Sequence, residues 1–134
     1  MVSVNFIRAA IRRWFGARPR DDRELGASGE AIAARYLQNH GYRLLERNWR
    51  CRAGEIDIIG WRDQTCVFVE VKSSYKLGVF APEARVRQRK QAKLRTLARI
   101  YMKRQKQDAA CRFDVISVWW ENDKPQLKHF ENAF

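Results

Sequence analysis

Acidic residues are in short supply in this chain: 15 Asp and Glu stand against 27 Lys and Arg, for a formal charge of +12. A surplus of that size makes a polyanion the first partner to consider, with nucleic acid ahead of an anionic membrane. Cysteine is sparse too, with three residues, Cys51, Cys66 and Cys111, at no CxxC spacing and only two histidines to accompany them. This gives neither a disulfide framework nor a zinc signature, so reduced thiols and a cytoplasmic location are expected. No apolar run approaches the roughly 20 residues that a bilayer crossing needs, so no integral membrane segment is expected. The first residues mix Arg8, Arg12 and Arg13 with Phe6, Ile7, Ala9 and Ile11. They lack the uninterrupted apolar stretch of a signal peptide, which points away from secretion.

What is present is a chain of 134 residues, 46% hydrophobic and 31% charged, which is the balance of one globular domain. Residues 6–15 carry apolar side chains at helical spacing among arginines and predict a short basic amphipathic helix. Residues 16–24, with Pro19, read as a linker, so 1–24 is an N-terminal extension and 25–134 the compact domain. A helix is expected over 29–40, stopped by Gly41, with Glu30, Ala33, Ala34 and Leu37 on one face. Three strands follow over 42–49, 55–61 and 65–73, most simply an antiparallel meander. A basic helix over 83–105, a strand over 112–120 and a weak edge strand over 126–130 complete the order. The fold class is α/β, a sheet with helices packed on it.

Asp57, Glu70 and Lys72 stand out because they interrupt apolar runs that otherwise read as buried strands. Side chains i and i+2 share a strand face, so Glu70 and Lys72 point one way and Val67, Val69 and Val71 the other. Unpaired buried charge is costly even after relaxation, and the cluster therefore calls for another side chain, a metal, or both. Phosphodiester cleavage by Mg²⁺ or Mn²⁺ needs oxygen ligands that leave room for water and phosphate, and a pair such as Asp57 and Glu70 suffices. Lys72 would orient the attacking water and offset charge on phosphorus. Glu30 would add a carboxylate from the first helix, and Lys90 and Gln91 would approach from the second, all on one side of the sheet. Glu55, on the same strand face as Asp57, is open to reading as a ligand, as a partner for Arg50 or Arg52, or as exposed at the strand start, with a structural or supporting role favoured, and Asp114 is left outside the site as a partner for a basic residue.

The spacing of Asp57 from Glu70-Val71-Lys72, after a helix bearing Glu30, resembles the PD-(D/E)xK nuclease arrangement. More narrowly, Gly29-Glu30-Ala31, Gly41-Tyr42, Arg47-Asn48, Gly54-Glu55-Ile56-Asp57-Ile58-Ile59 and Val67-Phe68-Val69-Glu70-Val71-Lys72 resemble the uncharacterised YraN-like family. Lys90-Gln91, Ala98, Tyr101 and Arg112-Phe113-Asp114-Val115 continue the likeness, which covers residues 26–119. It implies a restriction-endonuclease-like fold, a central mixed sheet with an αβββαβ core, similar to that of archaeal Holliday-junction resolvases. By that similarity Glu30, Asp57 and Glu70 would be metal-site residues, Lys72 the catalytic lysine and Gln91 a supporting residue. Resolvase-like relatives often work as dimers, so the resemblance raises a homodimer without identifying an interface. The chain departs from the pattern in having Ile56 rather than proline before Asp57, an irregular loop over 76–82 and a tail over 6–20.

The second helix is basic almost throughout, and Arg85, Arg87, Arg89, Lys90 and Lys93 at its start are the expected contacts for nucleic acid, DNA first. Mixed signs would serve solubility better than this one-sign run. The resemblance thus implies a divalent-metal-dependent endonuclease acting on DNA, branched or damaged DNA included. The residues leave open a non-catalytic nucleic-acid-binding module, or a protein-interaction factor in DNA processing on the same fold.

Overall fold

A computed structural model describes residues 7–10, for which only the backbone is considered, together with 18–75 and 86–134. The first expectation to change is the amphipathic helix over 6–15, because Ile7–Ala10 is a strand, β1, paired antiparallel with the end of the chain from Ile7↔His129 to Ala10↔Gln126. Edge pairing supplies backbone partners that an isolated short helix would have to find within itself, and it draws this part of the extension into the sheet.

Helix α1 runs over Asp22–Asn39, starting well before residue 29. Asp21 is its cap: the Asp21 carboxylate accepts from the Glu24 N–H at 2.9 Å, while Glu24 reaches back to the Arg20 N–H at 2.9 Å. This reciprocal closure satisfies donors that a helix start otherwise leaves open. Asp22 and Glu24 in the first turn suit the helix dipole. At the other end the helix stops before Gly41, whose φ of +84° favours glycine.

Strands β2 (Arg43–Cys51), β3 (Gly54–Arg62) and β4 (Thr65–Ser74) form the expected meander. Asp63 and Gln64 join β3 to β4 with φ of 49° and 59°, the left-handed pair of a tight hairpin. Helix α2 (Gln88–Arg104) carries the chain to β5 (Ala110–Glu121), which lies parallel to β4 from Thr65↔Ala110 to Ser74↔Trp119. A second tight turn at Asn122 and Asp123 leads to β6 (Lys124–Phe130). The sheet order is β1-β6-β5-β4-β3-β2, mixed by the one parallel pair. This is the restriction-endonuclease-like arrangement.

Alternation along β4 divides the core. Val67 and Val69 pack with Ile32, Leu37 and Trp120 on the α1 face, while Cys66 and Phe68 pack with Leu94, Leu97 and Tyr101 on the α2 face. Trp119 and Trp120 are both buried, so neither is exposed for stacking on a base. A polar knot pins β5 to β6: fully buried Asp114 takes two hydrogen bonds from Arg112 at 2.8 Å each, one from His129 at 2.7 Å and one from the Asn132 N–H at 2.9 Å. Among the described residues no helix is long and apolar enough to cross a membrane.

The approach of α1 to β4 depends on Gly29, where a Cβ would lie 1.8 Å from Ser73 Oγ and 3.0 Å from Ser73 Cβ. Gly29→Ala is therefore expected to destabilise the fold by about 1–3 kcal/mol. Urea unfolding measures this, and Gly29→Ala combined with Ser73→Gly should recover part of the loss.

Candidate metal centre

Pairing between β3 and β4 runs from Arg62↔Thr65 to Ile58↔Val69 and goes no further. Beyond that point the Val71 N–H donates to Asp57 Oδ2 at 2.8 Å, a side chain standing in for the missing strand partner. Ile56 and Ile59 both pack on the α2 face while Ile58 packs on the α1 face, so strict alternation breaks across Asp57 and Ile58. The opening holds a cavity of about 310 Å³ lined by Glu30, Asp57, Glu70, Lys90 and Lys93, among others. Since α1 and α2 lie on opposite faces, Glu30 and Lys90 do not share one side of the sheet as the sequence suggested. They meet because the sheet is split between them.

Glu70 is 7% exposed. Its Oε1 lies 3.3 Å from Lys72 Nζ and forms a closer ion pair with Lys90 Nζ. Burial works against the charge on Lys90, but the hydrogen bond and charge of Glu70 outweigh it and raise the Lys90 pKa. Asp57 is the opposite case. Burial and then the charge of Glu70 push its carboxyl up to about 7, against the smaller help of the Val71 N–H. Ionised Asp57 is thus short of positive charge in the metal-free protein.

The resemblance to PD-(D/E)xK nucleases implies a divalent cation, and Asp57 and Glu70 offer carboxylate oxygens to one. A carboxylate offers about four lone-pair sites, of which the Val71 N–H engages one on Asp57, and Mg²⁺ asks for only one or two protein carboxylates beside water and phosphate. Among the described residues no group of three or more His, Cys, Asp or Glu comes together to hold a metal ion. Asp57 and Glu70 would be the direct ligands, and Glu30, on the cavity wall, would act through water.

Lys72 stands against Glu70, as its strand spacing suggested, although its side chain is not part of the cavity lining. Gln91 does not line the cavity; its Nε2 donates to the Val86 carbonyl at 2.8 Å and closes the first turn of α2. Glu55 lines the cavity while pairing with Arg50 at 3.1 Å on the exposed side. Arg87, Arg89, Lys90 and Lys93 are exposed at the start of α2, and Arg85 lies outside the described residues. Farther along α2, Arg95 covers the Phe113 and Phe134 rings at 5.9 and 5.4 Å and Arg104 covers Trp49 at 5.8 Å. Basic side chains are exposed along the whole helix, Arg99 and Lys103 included, and those nearest the cavity are Lys90 and Lys93, which line it. The expected pairing of Asp114 with a basic residue is met by Arg112, whereas the His129 contact was missed because it depends on strand register.

The chain matches the Uncharacterised protein family UPF0102 over residues 29–118. A UPF0102 protein of Geobacter metallireducens is 43% identical over 114 residues, covering 84% of this chain and 93% of the relative. Another from Desulforamulus reducens is 44% identical over 114 residues, covering 81% and 93%.

The raised Asp57 pKa sets a stability prediction with a definite sign. The ionised form costs stability fully above about 7, and the cost falls away as pH drops toward the ordinary value of 3.8. In metal-free buffer at pH 8, Asp57→Asn, which keeps an acceptor for the Val71 N–H, is expected to stabilise by about 1–3 kcal/mol. Thermal unfolding across this pH range checks it: the advantage should shrink on acidification.

Proposed function

The chain belongs to the Uncharacterised protein family UPF0102, and we propose that it is a divalent-metal-dependent endonuclease that hydrolyses DNA phosphodiester bonds. The observation that carries this reading is the shared cavity of Glu30, Asp57 and Glu70, with Lys72 and Lys90 on the same Glu70 oxygen and exposed Arg87, Arg89 and Lys93 alongside. When bound, Mg²⁺ or Mn²⁺ would supply Lewis-acid stabilisation of charge on the phosphate. Asp57 and Glu70 would hold it, with Asp57 kept in orientation by the Val71 N–H. Lys72, held beside Glu70 on the same strand face, would donate to the attacking water and to developing charge on phosphorus. The exposed cations at the start of α2 would track the DNA backbone.

A second reading, a non-catalytic nucleic-acid-binding module, is favoured by one feature: Lys72 and Lys90 already meet the charge of Glu70 without a metal. Incubation with plasmid, single-stranded and four-way-junction DNA in Mg²⁺ or Mn²⁺ separates the two. The nuclease reading expects cutting that Lys72→Ala slows by about 10²-fold or more while binding persists. Intact DNA in every case, or equal cutting by the variant, contradicts it.

Arg89→Gln combined with Lys93→Gln should weaken binding of a short duplex regardless of its sequence. The slope of log K against log salt should flatten by about two, one for each phosphate no longer neutralised. Fluorescence anisotropy over a salt series measures it.

A further inference from the structure

Helix α2 carries positive charge even where a helix tolerates it least. Arg87 occupies the cap, Arg89 and Lys90 follow in the first turn, and no acid accompanies them. The dipole at a helix N-terminus favours anions, so a first-turn lysine there needs an external reason. Lys90 has one in Glu70, whose Oε1 it engages.

Glu70 receives two ammonium groups on this one oxygen, and they are not equivalent. Lys72 is two residues away on β4, an inner strand of the sheet. Lys90 arrives from another element, and its side chain is 43% exposed against 27% for Lys72. The Lys90 ammonium also lines the cavity with Asp57, whereas Lys72 approaches from outside the lining. A divalent ion held by Asp57 and Glu70 would sit in the cavity that Lys90 also lines, within reach of the carboxylate that Lys90 engages. An ammonium at contact distance repels it strongly in a half-buried site.

Resting on the metal-site reading above, we propose that Lys90 is a built-in competitor of the metal: its ammonium holds the cation position at Glu70 in the metal-free protein and is expelled when a divalent ion enters. The charge of Glu70 is thereby met without metal while Asp57 stays short of a counter-charge, and ion binding is weakened by the need to displace a tethered cation. The expelled ammonium emerges beside exposed Arg87 and Arg89, where a backbone phosphate is the natural anion to receive it. Metal entry and phosphate binding then favour each other, as linkage requires of two events that share one displaced group.

Mn²⁺ binding, read from the electron paramagnetic resonance signal of the free ion, tests this without reliance on turnover. Wild type is compared with Lys90→Gln and Lys90→Met, and with Lys93→Gln, which removes the same charge from the same cavity wall but not a Glu70 contact. Both Lys90 variants are expected to bind Mn²⁺ about tenfold more tightly than wild type, with Lys93→Gln changing clearly less. If the Lys90 variants bind no more tightly than Lys93→Gln while wild type still binds, the competitor is wrong and the metal site stands. If no form binds Mn²⁺, the metal site itself is wrong and the competitor falls with it. Matching circular dichroism and melting curves establish that the variants are folded.

Discussion

The hydrogen bond from the Val71 N–H to Asp57 Oδ2 is the interaction on which the rest of this site depends. A backbone donor buried in a sheet must find an acceptor, and here a carboxylate takes the place of the neighbouring strand. The ladder can therefore end at Ile58↔Val69 without leaving Val71 unsatisfied. The opening that results gives side chains from both faces of the sheet a common space, which an unbroken sheet would deny them. Asp57 is thus structural and chemical at once: the atom that ends the strand pairing also holds the carboxylate against the cavity.

Two buried carboxylates in this fold meet opposite fates, and the difference separates framework from function. Asp114 is enclosed, and burial alone would raise its pKa. Hydrogen bonds from His129, Arg112 and the Asn132 N–H hold it below the ordinary carboxylate range instead. It is fully satisfied and fastens β5 to β6 and the chain end. Asp57, by contrast, has one backbone donor, and burial and then the like charge of Glu70 drive its pKa up. A site left short of positive charge costs stability, and such a deficit is what a divalent cation would remove. The helix that brings Lys90 also gathers Arg87, Arg89 and Lys93 at its start, so the same segment that quiets the carboxylates faces phosphate.

Much of this was legible in the sequence. The alternation of Val67, Val69 and Val71 against Glu70 and Lys72 predicts the faces of β4, and turn residues such as Asp63 and Asn122 mark where one strand ends and the next begins. Beside the His129 contact, three features were not legible, each for a physical reason. The basic spacing of residues 6–15 reads as a helix, but the strand at Ile7–Ala10 depends on an edge offered by β6, more than a hundred residues away. The meeting of Glu30 with Lys90 depends on a break in pairing that periodicity cannot reveal. Gln91 has the right neighbours for a site residue, yet the geometry of the first turn of α2 gives its amide to the Val86 carbonyl.

Anomalous diffraction from crystals soaked in Mn²⁺ is the most direct test of a metal centre in the split sheet. One strong peak is expected in the cavity, about 2.0–2.3 Å from oxygens of both Asp57 and Glu70, with the Lys90 ammonium withdrawn from Glu70. Absence of a peak at saturating Mn²⁺, with Lys90 still paired to Glu70, would contradict it.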